Sequence, residues 1–318
     1  MLDLASGAVV PTEDDVWHVA YQKYVGFSTN GGASGSGSVE GCIAHQYDAL
    51  FDADGKAVEA EFAALTMENT IDNYNAVSAD SCTDFEADSV KPGIVTEDWY
   101  AYGSPNNVVA DNAFIIRHSD GQSYSRVKAT EYYMAPDHSS YDVSLAIETW
   151  NENNQAFDAA FTVTLPYATR NPVAQYYDID TQQVVAADGD WDIYYHVGGR
   201  DMMLQTNGGV SGEGKGGTAV VLLDGGANAV TDPTSVGRDD AKQIYDYEAD
   251  NGSGVLSKPG SYGPLQYGVA GGHKMWPTFT TYLIKDGSSL FKMQVTGNYG
   301  ADGSLGSGNI VYRIDQVN

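Results

Sequence analysis

The sequence has few cysteines and no long apolar run. Its two cysteines are Cys42 and Cys82, and neither a Cys-x-x-Cys-His sequence nor zinc-cluster spacing occurs, which excludes covalent c-type haem attachment and a cysteine-rich zinc site. No stretch approaches the roughly 18 apolar residues of a transmembrane helix, so none is predicted. We expect a disulfide between Cys42 and Cys82, with two buried free thiols as the alternative.

Basic residues are also scarce. The chain has 16 Lys and Arg against 43 Asp and Glu, a formal net charge of −27. Such a surface repels phosphate backbones and anionic membranes, so nucleic acid is a poor partner. The charge favours either plain solubility in a salty medium or a dedicated cation-binding surface.

Three acidic clusters supply oxygen atoms of the kind that calcium binds. None of them has EF-hand spacing, and solvated turns are the alternative reading. The clusters are residues 52–54, 178–180 and 188–190.

The sequence is rich in glycine and tyrosine, and its apolar and polar residues alternate. The 36 glycines and 22 tyrosines favour turns and half-buried strands. Apolar and polar residues alternate with period two, with Asp-Gly and Asn-Gly between the runs, as in hairpins. We therefore predict an all-β fold, with helix confined to residues 58–67 and a second candidate at residues 239–248.

The chain contains an internal repeat. Residues 17–21 (WHVAY) match residues 191–195 (WDIYY), and residues 29–37 (TNGGASGSG) match residues 206–214 (TNGGVSGEG). Later, residues 113–121 (AFIIRHSDG) match residues 281–287 (TYLIKDG). A duplication of one β-rich domain is the simplest explanation.

The repeat sets the predicted domain boundary. The polar break at residues 151–154 separates domains at 1–150 and 155–318, a common domain size. Residues 161–165 (FTVTL) predict the first strand of the second copy. The first copy has no counterpart, so we expect the sequence to begin after a missing or removed first strand, in an exported protein whose leader is absent.

At these repeated segments the sequence resembles the HmuY family of secreted haem-binding proteins. The resemblance implies two tandem antiparallel β domains with little helix. It also implies an extracellular or outer-membrane surface location, with haem as ligand and delivery of haem to a TonB-dependent receptor. In the family, His or Met residues on two loops supply the axial ligands.

Each copy keeps half of that implied ligand pair. The loop before the tyrosine strand of the second copy holds His273 and Met275, with Trp276 as a wall of the haem site, whereas residues 104–108 of the first copy have neither ligand. The later hairpin holds Met134 and His138 in the first copy, and residues 299–304 of the second have no ligand. One ligand can suffice in one domain, His138 and His273 can share one haem, or haem binding has been lost.

The remaining motifs carry no catalytic prediction. The TNGGxSG stretches are followed by neither Lys-Ser/Thr nor a helix, so they are glycine-rich bends rather than phosphate loops. The other four histidines are interpreted as structural, namely His18, His45, His118 and His196. No Ser-His-Asp or paired-carboxylate arrangement stands out, so no enzyme is predicted.

Three functions remain open on the sequence. The first is a haem carrier, exported or held at the cell surface. The second is a surface structural or adhesion protein, capable of self-assembly, that has lost haem binding. A calcium-stabilised or glycan-binding domain is the third.

Overall fold

The fold is that of a computed structural model, which describes residues 1–12, 16–198 and 201–317, with only the backbone of Asp201. Strands account for 43% of the chain and helices for 10%. Antiparallel pairing is seen, for example, between residues 161–165 and 143–147, and between residues 124–134 and 141–151, where a β-bulge shifts the register. The predicted all-β fold is confirmed.

The strands of the described residues are numbered in chain order. They are β1 Leu2–Asp3, β2 Ala8–Val9, β3 Val19–Gln22, β4 Gly26–Thr29, β5 Glu40–His45, β6 Ser89–Lys91, β7 Phe114–Arg117, β8 Tyr124–Met134, β9 Tyr141–Asn151, β10 Ala156–Phe157, β11 Phe161–Leu165, β12 Gln175–Asp178, β13 Gln183–Val185, β14 Ile193–Gly198, β15 Asp201–Thr206, β16 Gly217–Val221, β17 Ile244–Glu248, β18 Asn251–Ser253, β19 Leu265–Tyr267, β20 Met275–Pro277, β21 Thr281–Asp286, β22 Ser289–Gly297 and β23 Val311–Gln316.

The helices are short. The α-helices are α1 Glu59–Ala64, α2 Ile71–Ala76 and α3 Thr96–Trp99, and the 3₁₀ turns are Asp48–Leu50, Ala79–Ser81, Pro105–Asn107, Gly226–Ala229 and Val255–Ser257. The helix predicted at residues 58–67 corresponds to α1. The helix suggested at residues 239–248 is wrong, because β17 occupies its second half and pairs with β16.

The chain forms two compact units. Unit 1 consists of Met1–Ser89 and Gly252–Asn318, and unit 2 of Val90–Asn251. The predicted division at 1–150 and 155–318 therefore needs correcting. Each unit combines the earlier part of one repeat with the later part of the other.

Strand pairing explains this interleaving. In unit 1, β5 from the first repeat pairs with β21 from the second. In unit 2, β16 from the second repeat pairs with β7 from the first. Equivalent strands present equivalent edges and faces, so either copy can supply the partner, as in domain swapping.

Unit 1 contains two four-stranded sheets, ordered β2-β1-β3-β4 and β23-β22-β21-β5, together with the β19-β20 hairpin. Its main core includes Phe27, Leu256, Tyr282 and Met293. The disulfide Cys42–Cys82 is present, with the two Cα atoms 6.3 Å apart. It joins β5 to the segment after α2, within the first of the two chain segments of this unit.

Unit 2 contains a larger sheet, ordered β10-β9-β8-β7-β16-β17 with β11 also paired to β9, and a four-stranded sheet ordered β13-β12-β14-β15. Its core includes Trp99, Leu145, Ile193 and Tyr195. The strand predicted at residues 161–165 is confirmed as β11.

The TNGGxSG repeat closes one loop in each unit in the same way. In unit 2, the Asn207 amide donates to the Trp191 carbonyl (2.9 Å) and accepts from the Gly214 N–H (3.0 Å). In unit 1, Asn30 makes the same two bonds, to Trp17 (3.0 Å) and from Gly37 (3.1 Å). The repeated tryptophan and asparagine thus form one structural device.

A buried aspartate fastens each loop from the other side. Asp88 accepts the Thr29 N–H at 3.0 Å in unit 1, and Asp250 accepts the Thr206 N–H at 3.0 Å in unit 2. Both aspartates end a Glu-Ala-Asp triplet, residues 86–88 and 248–250. This second repeated signal was present in the sequence and was overlooked.

Candidate functional site

The predicted haem ligands of unit 2 lie on the hairpin between β8 and β9. His138 stands at its tip with a φ of 55°, and its side chain is exposed. A non-glycine residue in this left-handed region is uncommon, although His is among the more tolerant residues. The backbone at His138 thus turns tightly and presents the ring to solvent.

The His138 ring is held by a tyrosine. The Tyr141 hydroxyl lies 3.1 Å from Nδ1, and the two ring centroids are 6.1 Å apart at an interplanar angle of 36°. Among the described residues, no hydrogen bond involves Nε2. An imidazole anchored through one nitrogen with the other free is the usual arrangement of a metal-ligating histidine.

Unit 1 repeats this arrangement on another hairpin. His273 lies between β19 and β20 and is exposed, with its Nδ1 2.5 Å from the Tyr267 hydroxyl. The ring centroids are again 6.1 Å apart, at an interplanar angle of 39°. Nε2 of His273 has no hydrogen bond within the described part of the chain. Each unit therefore contains an exposed histidine that is hydrogen-bonded to a tyrosine.

The other predicted ligands are less available than the histidines. Met275 is only 6% exposed and belongs to the core of unit 1, so it is not placed to bind iron. Met134 is half-buried and packs against the core of unit 2. Trp276 is half-buried on β20, opposite Gln266.

The structure brings the two predicted loops together in each unit. In unit 2, the Asn107 side chain donates to the Tyr132 carbonyl at 3.1 Å, so residues 104–108 lie against β8. In unit 1, the Met275 N–H donates to the Tyr299 hydroxyl at 2.9 Å. One loop of each pair carries a histidine and the other does not.

Tyrosines surround the loops of unit 2. Tyr132 stacks on Tyr141 with centroids 6.3 Å apart and meets Tyr100 edge-on at 5.0 Å. Burial raises the pKa of Tyr100 and Tyr132 above the usual range, so both hydroxyls stay neutral at physiological pH. Tyr102 and Tyr133 are 76% and 48% exposed, which leaves aromatic surface open to a planar ligand.

These features fit haem with one axial ligand in each unit. Haem iron accepts a neutral imidazole, and the macrocycle needs apolar or aromatic walls. His138 in unit 2 and His273 in unit 1 each offer a nitrogen of this kind on an exposed ring, held by a tyrosine hydroxyl at Nδ1. Met275 does not fit as an axial ligand, because its side chain lies in the core of unit 1.

Sequence reasoning missed Tyr141 and Tyr267, the partners of the two histidines. The signal was a tyrosine three residues after His138 and another six residues before His273. The different order and spacing in the two copies hid the common role. Of the remaining histidines, His196 stacks on Tyr194 with centroids 6.0 Å apart, as a structural residue would.

Comparison with protein families finds a match for the first part of the chain. The model of the family described as HmuY protein matches residues 1–145, a stretch that covers the first segment of unit 1 and the early strands of unit 2. No curated protein and no solved structure matches the chain significantly. The helices within the described residues are all too short or too polar to cross a membrane.

Proposed function

We propose that this protein binds haem outside the cell and passes it to an outer-membrane receptor, and the premise is the match of residues 1–145 to the HmuY family model. The proposal is for a carrier and not for a catalyst. The receptor is of the TonB-dependent kind that the family resemblance implies. The family itself is associated with haem and with secreted or surface-associated proteins.

The observation that carries the proposal is the His–Tyr pair exposed in both units. His138 and His273 are each anchored at Nδ1 by a tyrosine hydroxyl, although their hairpins occupy different places in the two repeats. This leaves Nε2 of each exposed ring without a hydrogen bond among the described residues, so that it is available to an iron porphyrin. When bound, haem would supply the iron, and the chain would supply the ligand, its orientation and the aromatic surface.

Titration of the full chain with haemin, followed by the Soret band, tests the proposal. We expect a Soret shift in the wild type, a roughly halved amplitude in His138→Ala or His273→Ala, and no shift in the double variant. His196→Gln is the matched control, because it changes a histidine of unit 2 that stacks on Tyr194, and it should titrate as wild type.

The tyrosine partners give a second readout. Tyr141→Phe and Tyr267→Phe remove the anchoring hydroxyl and should weaken haemin binding by about tenfold, as loss of an outer-shell partner does at other metal sites. A wild type without a Soret shift, or a double variant that titrates as wild type, would refute haem binding through these histidines. A wild type without a shift would leave the surface structural or adhesion role.

A further inference from the structure

A second candidate site lies in unit 2, away from the His138 hairpin. His118 directly follows β7 and is 1% exposed. Its Nε2 is 2.8 Å from the Ser125 hydroxyl, whereas its Nδ1 is buried and has no hydrogen-bond partner among the described residues. A buried polar atom without a partner is costly, so this nitrogen calls for an explanation.

Two carboxylates face that nitrogen. Nδ1 of His118 lies 3.4 Å from Oδ1 of Asp180 and 3.7 Å from Oδ2 of Asp192. The three donor atoms all lie within 4.8 Å of one another. One nitrogen and two oxygens therefore converge on a small volume.

The surrounding hydrogen bonds orient all the buried donors. Asp192 is 2% exposed, and its two oxygens accept the Ser119 and Ile179 N–H groups, each at 2.9 Å. Each carboxylate oxygen has a further lone pair available. If Ser125 accepts the Nε2 proton of His118, the lone pair on Nδ1 faces the carboxylates, which is the tautomer that a metal needs.

We propose that His118, Asp180 and Asp192 bind a divalent transition-metal ion of the zinc class. Bonds of about 2.0–2.1 Å at tetrahedral angles place donor atoms about 3.4 Å apart, close to the distances from Nδ1 to the two oxygens. One imidazole with two carboxylates suits zinc or manganese better than calcium, which prefers oxygen ligands alone.

The site opens into an acidic cleft of unit 2 of about 810 Å³, with Trp191 on its wall. Five further carboxylates line the cleft besides Asp180, and they belong to Asp120, Asp178, Asp188, Asp190 and Glu213. Clefts lined by one sign of charge concentrate counter-ions. The cleft thus supplies an entry path for a cation, and Asp180 is the exposed ligand at that entry.

Unit 1 has an equivalent position for comparison, in which the histidine and the aspartate have exchanged places. His18 follows Trp17 where Asp192 follows Trp191, and Asp286 ends β21 where His118 follows β7. His18 also faces two carboxylates, with Nε2 3.5 Å from Asp286 and Nδ1 3.2 Å from Asp3, but its Nδ1 accepts the Leu4 N–H at 3.2 Å. Only His118 of these two rings keeps a buried nitrogen without a partner.

The competing occupant of the site is a proton on Nδ1. Burial lowers the pKa of His118, but the carboxylates of Asp180 and Asp192 outweigh it, so the pKa is raised. A protonated ring would then form a buried ion pair with no metal. Direct measurement of metal binding separates the two occupants.

The test is titration of chelator-treated full chain with Zn²⁺ by calorimetry at 150 mM salt. We expect one site, with affinity at least about tenfold weaker in Asp180→Asn. Asp188→Asn is the matched control, because it removes the same charge from the same cleft, and screening should keep its affinity within about twofold of wild type. Asp180 is exposed, so its replacement leaves the core of unit 2 intact.

Nitrogen NMR of the imidazoles gives the second readout in the wild-type chain. Saturation with Zn²⁺ should shift the Nδ1 resonance of His118 and leave that of His18 in place. The proposal is overturned if Zn²⁺ does not bind, if Asp180→Asn and Asp188→Asn weaken binding equally, or if the Nδ1 resonance does not move. None of these outcomes depends on haem.

Discussion

At the residue scale, two asparagines make the same hydrogen bonds but differ in how far they are buried. Asn207 is 6% exposed, whereas Asn30 is half-buried. Both bridge the tryptophan carbonyl to a glycine N–H of their loop. Water can replace these bonds more readily at Asn30, so the shared geometry stabilises the two loops unequally.

Asn207→Ala should lower the free energy of unfolding by about 1–3 kcal/mol, because it leaves buried backbone groups without partners. Asn30→Ala, the matched variant in unit 1, should cost less. Urea unfolding followed by tryptophan fluorescence checks both values. A larger loss at Asn30 than at Asn207 would contradict the role assigned to burial.

The contacts between histidines and carboxylates could not be predicted from the sequence. His18 and His118 were each interpreted as structural, one at a time. Each ring also faces a carboxylate far along the chain, Asp286 for His18 and Asp192 for His118, and the residue types are exchanged between the repeats. Aligning identical residue types in the two repeats therefore does not bring these histidines and aspartates into correspondence.

At the scale of elements, the glycine loops depend on close approach of two backbones. Gly209 has a φ of 63°, and a Cβ there would lie 2.0 Å from the Asp250 carbonyl oxygen. Gly55 has a similar φ of 75°, but a Cβ there would meet nothing within 4 Å. The two positions separate backbone conformation from steric contact.

Gly55→Ala should cost about 1–2 kcal/mol, the penalty of a left-handed conformation for an L-residue. Gly209→Ala should cost at least about twice that, because the Asp250 backbone must also move. Denaturant midpoints of the two variants test the difference. Equal costs would show that the contact with Asp250 relaxes freely.

Alternation predicted strands well because the side-chain period of a strand is local. Residues 161–165 alternate, and they form β11 against β9. The helix suggested at residues 239–248 was wrong because Ile244 and Tyr247 are buried on a strand paired with β16. Tertiary pairing overrides weak local preference in such segments.

At the scale of the whole molecule, the repeats indicate which segments are similar but not which strands pair in a sheet. β5 has the same kind of partner in either copy, so the sequence left the choice between β7 and β21 open. The structure chooses β21. The predicted boundary near residue 150 falls inside unit 2, between the paired strands β9 and β11.

A fragment of residues 90–251 should fold alone, since it contains all of unit 2. A fragment of residues 1–150 should not form a complete unit, because it lacks β21 to β23. Near-ultraviolet circular dichroism and amide NMR dispersion of the purified fragments distinguish them. An ordered 1–150 fragment beside a disordered 90–251 fragment would contradict the interleaved arrangement.

The chain order of the units also sets an order of assembly during synthesis. Unit 2 is continuous, and its two ends are tied where the Gly93 N–H donates to Asp250 at 2.8 Å. It is therefore complete while the last strands of unit 1 are still untranslated. Until those strands are synthesised, β5 lacks its sheet neighbour β21. Its open strand edge is then prone to mispairing. The nascent protein is thus most prone to mispairing at β5, before β21 has been synthesised.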